Sequence, residues 1–134
     1  MINTVKEVVV MNRNSVFINL TNHTSTGWSE AQREEALRYG KIIDIPFPVV
    51  PPTADSKQVE AMAFELVEEV MRENPRAVCC QGEMALTYKV VSLLKSHGIP
   101  VLAATSARDI VEKKMPGGAT QKTAIFRFCM FREY

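Results

Sequence analysis

The sequence predicts an α/β domain built on a mostly parallel sheet, and three observations carry that prediction. Short, nearly uninterrupted apolar runs recur, among them Val16-Phe17-Ile18-Asn19-Leu20 and Ala77-Val78-Cys79-Cys80, as in strands buried on both faces. Between them stand capped amphipathic segments of helical period. The last part of the chain changes in kind: it alternates, turns at Met115-Pro116-Gly117-Gly118 and alternates again, as an antiparallel β-hairpin does. A chain of 134 residues suits one domain around one core, residues 1–134, with 1–15 as either an extension or an edge strand.

Within that amino-terminal stretch, Val5 to Met11 either adds an edge strand or precedes a natural start at Met11, and the residues leave both readings open. Val16 to Leu20 is the first strand. It runs into Thr21-Asn22-His23-Thr24-Ser25-Thr26-Gly27-Trp28, dense in hydroxyl, amide and imidazole groups. A polar loop between a buried strand and a helix is where binding residues concentrate. Its lone His23 serves either as a structural hydrogen-bonding group or as a proton carrier near neutral pH. Ser29, with Gln32 three residues later, opens a helix from about Glu30 to Tyr39 that Gly40 ends.

Lys41 to Ile45 reads as the second strand. The four prolines of the 46–52 connector forbid helix and hold an extended path, with Phe47 either covering core or walling a pocket. Asp55 or Ser56 caps the longest helix. Its Val59, Met62, Ala63, Leu66, Val67, Val70 and Met71 form one apolar stripe, and Glu60, Glu65, Glu68, Glu69 and Glu73 a solvated face, before Asn74-Pro75 ends it.

Ala77 to Cys80 is the central strand. Gln81-Gly82 then turns the backbone into a helix from about Glu83 to His97, with Leu86, Val90, Leu93 and Leu94 buried and Gly98 as its carboxyl cap. The first N–H groups of that helix are expected to stand open to an anion. Ile99 to Ala104 is a further buried strand, ending in the polar cluster Thr105-Ser106-Ala107-Arg108. Strand-helix-strand crossovers are right-handed, so Asn22 and His23, Gln81 to Glu83, and Thr105 to Arg108 are expected to converge on one sheet edge. Ligands of open parallel sheets settle there.

Net charge is +1, which gives no global field toward long nucleic acid or a membrane surface. The distribution is nevertheless polarised. From Arg108 onward six basic residues stand against three acidic ones, whereas Asp55 to Asn74 holds Lys57 and Arg72 against six carboxylates. The adjacent Cys79 and Cys80 point to opposite faces of a strand, so they read as small core residues in a reducing cytoplasm rather than as a disulfide. No zinc-like spacing, signal peptide or membrane-length apolar run is present. Gly-x-Gly-x-x-Gly, Gly-x-x-x-x-Gly-Lys and Gly-x-Ser-x-Gly are all missing, which argues against ordinary dinucleotide, nucleoside-triphosphate and serine-hydrolase sites.

A strand ending in Leu20-Thr21-Asn22-His23, a Ser-x-x-Gln-opened helix, Ile42-Ile43-Asp44-Ile45-Pro46, Gln81-Gly82-Glu83, Ala103-Ala104-Thr105-Ser106 and a closing Phe126-Arg127-Phe128 hairpin appear in that order. This arrangement, from Val16 to Tyr134, resembles the small stand-alone CRISPR-associated proteins related to CARF domains. The resemblance implies a Rossmann-like three-layer sandwich, a homodimer, and a cyclic oligoadenylate second messenger of type III CRISPR systems as ligand, with cyclic tetraadenylate the expected ring. It further implies ring cleavage with neither metal nor cofactor, by attack of a ribose 2′-hydroxyl on the adjacent phosphate. On that reading His23 transfers the proton, and Arg108 and the backbone after Gly82 hold phosphate. Thr21, Asn22, Gln81, Thr105 and Ser106 then meet ribose or adenine. Glu83 departs from the pattern, because a carboxylate repels phosphate. A non-catalytic sensor or sponge for the same messenger, and a protein-interaction module without a nucleotide, are the alternatives.

Overall fold

The computed structural model describes residues 15–134, so the expected strand at Val5 to Met11 and the choice of start lie outside the described residues. The strands β1 (Val16–Thr21), β2 (Lys41–Asp44), β3 (Ala77–Gln81), β4 (Val101–Lys114) and β5 (Thr120–Glu133) form one sheet in the order β2-β1-β3-β4-β5. The joints β1 with β2, β1 with β3 and β3 with β4 are parallel, and β4 with β5 is antiparallel. Helices α1 (Glu30–Leu37), α2 (Ser56–Arg72) and α3 (Met84–Ser96) make the crossovers between the parallel strands. The chain is therefore a mixed α/β fold with a mostly parallel sheet and a closing antiparallel hairpin.

Alternation along the strands sorts the core into two halves. Ile18, Leu20, Val78, Cys80 and Val101 pack with the apolar stripes of α2 and α3, whereas Phe17, Ala77, Cys79 and Leu102 pack with Ala36 of α1 and Phe131 of β5. The continuous apolar run at β3 is thus explained, since both of its faces are covered. Phe47 also lies in the first half of the core, which settles it as a core residue.

Each helix is started by the side chain the sequence offers. Ser29 Oγ accepts from Gln32 N at 3.2 Å, and Asp55 and Gln58 exchange two bonds of 2.8 Å in a complete capping box. α1 stops at Leu37, two residues short of the expected Tyr39. The chain there must turn into Gly40, whose φ is +153° and where a Cβ would stand 2.3 Å from the Ser15 carbonyl oxygen. Gly98, at φ +75°, ends α3, and the His97 Nδ1 donates to the Leu93 carbonyl at 2.8 Å.

One expectation is corrected. Thr105 to Arg108 is not a loop at a strand end but the middle of β4, which runs for 14 residues. Pairing of β4 with β3 covers only Val101 and Leu102, while pairing with β5 continues from Leu102 to Lys114, with a bulge between Thr105 and Ser106. Beyond Leu102 the two strands therefore leave the sheet as a two-stranded arm, roughly 40 Å long at about 3.3 Å per residue. The apolar run does stop at Ala104, but an antiparallel partner supplies the ladder that burial no longer requires, so loss of hydrophobicity is not loss of strand. Among the described residues no helix is long and apolar enough to cross a membrane.

Candidate functional site

β1 leads to β2 through α1 on one face, and β3 leads to β4 through α3 on the other. Neighbouring strands β1 and β3 are thus left by chains going opposite ways, which opens a crevice at their carboxyl ends. A cleft of about 1020 Å³ occupies that position. Its floor is Cys79, Gln81 and Ala104, its rim includes Asn22, His23, Ser29 and Gln32, and Trp28, Phe126 and Phe128 form apolar walls.

The rim loop is held from beneath by polar groups that the sequence reading did not single out. Asn19, 1% exposed, donates from Nδ2 to the His23 carbonyl and to Asp44 Oδ1, both at 2.8 Å, and its Oδ1 accepts from Thr21 Oγ1 at 2.8 Å. Asp44, the last residue of β2, accepts from Ser25 N at 3.1 Å and from Ser25 Oγ at 2.9 Å. The Arg33 guanidinium of α1 donates to the Ser25 carbonyl at 2.6 Å. A buried polar group must find partners, so an amide inside the otherwise apolar strand 16–20 was the available signal for this network.

On the opposite side, the Gln81 side chain acts as a surrogate peptide group. Its Oε1 accepts from Ala104 N at 2.9 Å and its Nε2 donates to the Ala104 carbonyl at 3.2 Å, joining β3 to β4 beyond the last backbone pair at Cys79 and Leu102. Gly82 follows in a backbone conformation open to other residues, since its φ is not positive. Glycine is required there by contact: a Cβ would lie 2.4 Å from the ring of Phe47. The contact with Phe47 adds to the expectation that Gln81-Gly82 turns the chain.

Glu83 corrects the expected anion site. It is the N-cap of α3, and its Oε1 accepts from Leu86 N at 2.8 Å. At the helix end expected to be open to phosphate, the Leu86 N–H is already taken by the chain's own carboxylate, whose negative charge opposes a second anion.

The other predicted residues fall into three groups. Thr21, Asn22, His23, Gln81, Gly82 and Ser106 all line the cleft. Thr105 lies one position out of phase with Ser106 on β4, outside the cleft lining, and its Oγ1 donates to the Met130 carbonyl at 3.0 Å. Arg108 is exposed on the arm opposite Phe126, beyond the lining residues. Sequence reading did not single out Trp28, Phe126 and Phe128 as cleft walls. Phe128 continues the aromatic cluster of Phe17, Trp28, Tyr39 and Phe131 from the core into the cleft. Among the described residues no Lys or Arg lines the cleft, and no three metal-ligating side chains come together.

Cys79 lies in the cleft floor but is not a nucleophile in waiting. Burial pushes the thiols of Cys79 and Cys80 from 9.0 up to about 12, although a hydrogen bond with Ala104 pulls Cys79 slightly the other way. The unfolded chain releases these protons near pH 9 while the native chain keeps them, so the stability they contribute is complete below pH 9 and is lost as pH rises toward 12. Urea unfolding is expected to show stability falling by up to about 1.4 kcal/mol per pH unit per thiol across that window. The Cys79→Ala/Cys80→Ala chain should lose that slope.

Residues 15–132 match the family described as "Uncharacterized protein MJ1673 family", and the chain belongs to that family. No curated protein matches the chain.

Proposed function

We propose that this MJ1673-family chain binds a cyclic oligoadenylate, cyclic tetraadenylate first among them, in the cleft between β1 and β3 and cleaves it as a metal-independent ring nuclease that ends a type III CRISPR signal. The reading extends the CARF resemblance, and with it a Rossmann-like three-layer architecture, a homodimer and a cytoplasmic setting. The sheet order β2-β1-β3-β4-β5 with helices on both faces is compatible with that architecture. The observation that carries the reading is the composition of the cleft: aromatic walls from Trp28, Phe126 and Phe128 with a rim of amide, hydroxyl and imidazole. A base can stack on such walls, and a ribose can bond to such a rim.

Cleavage requires the ribose 2′-oxygen to attack the adjacent phosphorus and lose its proton, and the P–O bond to the 5′-oxygen of the next nucleotide to break, that oxygen taking a proton from water, giving a cyclic 2′,3′-phosphate end and a 5′-hydroxyl. The His23 imidazole at the exposed rim takes the proton of the 2′-hydroxyl. The buried network of Asn19 and Asp44 fixes the backbone that carries it. Purified protein incubated with cyclic tetraadenylate in EDTA should release linear product. His23→Ala should slow release by roughly 10²–10⁴-fold while binding holds. An unchanged rate in that variant would remove His23 from the mechanism.

The second reading, a sensor or sponge that binds without cleaving, is favoured by the missing cation. Among the described residues no Lys or Arg lines the cleft, and the Glu83 carboxylate stands at the nearest helix end, so charge developing on a phosphoryl oxygen has little to meet there. Retention of intact ring in the same incubation would select it. Neither retention nor cleavage would leave the interaction module.

A further inference from the structure

A second cavity, of about 590 Å³, runs along α3 on the sheet face opposite to the cleft. Met84, Thr87, Tyr88 and Val91 line it from the helix, between Gln81 at one end and Lys95 at the other. Its far wall is Tyr134, which is held at both ends. The Tyr134 N–H donates to the Val101 carbonyl at 3.0 Å, the hydroxyl donates to the Cys80 carbonyl, and the main-chain oxygen accepts from Lys95 Nζ at 2.7 Å. Thr87 is the residue that points to a guest. It is 9% exposed, and its Oγ1 is buried without a hydrogen-bond partner. A helical threonine can donate to a carbonyl one turn back, and a hydroxyl left unpaired in the interior costs stability. Because Thr87 lines the cavity, a turn between its two helical rotamers re-aims the hydroxyl toward an occupant.

We propose that this cavity binds an uncharged heteroaromatic compound with a hydrogen-bonding edge, at a site separate from the cleft. Tyr88, Tyr134 and Met84 offer two rings and a thioether to a flat body, and Tyr88 and Met84 are 74% and 84% exposed. The Thr87 hydroxyl and a Lys95 ammonium with two donors left then meet the edge of that body. Lys95 is the one charged group of the lining among the described residues. A single exposed ammonium does not repay the desolvation of a carboxylate or phosphate against an apolar wall, so the guest is neutral. The volume lies within the range usual for small-molecule sites.

Methyl-labelled full chain titrated with adenosine and with nicotinamide, two uncharged heteroaromatic probes, should show the Met84 and Val91 signals moving, whatever the Trp28 indole in the cleft reports. Thr87→Val should weaken that binding about three- to tenfold and yet raise the urea midpoint of the free chain, because it removes an unpaired hydroxyl. Tyr88→Ala, at an exposed position, should weaken binding comparably with the midpoint unchanged. Shifts confined to Trp28 with both probes, or none at all, overturn the proposal and leave the reading of the cleft to its own cleavage assay. So does a Thr87→Val chain that binds as tightly as the wild type.

Discussion

Gly82→Ala is expected to destabilise the protein by about 1–3 kcal/mol, because the added methyl has nowhere to go. Three atoms of the Phe47 ring lie 2.4–2.5 Å from where the Cβ would be. A flexible side chain could swing aside, but Phe47 is 6% exposed and sits between Pro46 and Pro48, which hold its backbone in an extended path. The strain must therefore pass either into the core shared with α2 and α3 or into the turn that borders the cleft. Urea unfolding midpoints at constant m-value measure the loss. Phe47→Leu in the same chain should restore part of it, giving a non-additive cycle, whereas additivity would show that Gly82 is required for another reason.

Phe17→Ala should cost more, about 3–5 kcal/mol, which is a large part of the ~5–15 kcal/mol that holds a domain together. Phe17 is wholly buried, with its ring centroid 6.2 Å from Trp28, 5.6 Å from Tyr39 and 5.2 Å from Phe131. Those neighbours come from the rim loop, the end of α1 and the root of the arm. Truncation thus loosens three parts that the Phe17 ring joins, and near-ultraviolet circular dichroism should lose aromatic signal along with stability. Phe17→Leu, which keeps most of the volume, should cost less than half as much.

The parts of the fold that are local in cause were legible in the sequence. Ser29, Asp55, Gly40 and Gly98 mark helix ends because capping and positive φ are chemistry between near neighbours. The apolar stripe of α2 and the buried run of β3 were equally plain. What was not legible depended on residues distant in sequence. Gly82 reads as a turn residue until Phe47 is seen against it; Glu83 is the local exception, a cap three residues from Leu86 that reads as a misplaced charge because Glu is not among the favoured capping residues. The length of β4 was hidden because its polar half is supported by β5 and not by burial. Asn19 and Asp44 were visible as residues but not as partners 25 positions apart.

That last pair has a kinetic consequence. The backbone of the loop from Thr21 to Ser25 is tied by Asn19 below and by two bonds to a single Asp44 carboxylate, so it cannot change course without breaking several contacts at once. An arriving molecule meets a surface whose ordering entropy was already spent during folding. Association is then governed by diffusion and orientation alone, and differences between guests are expressed in how slowly they depart.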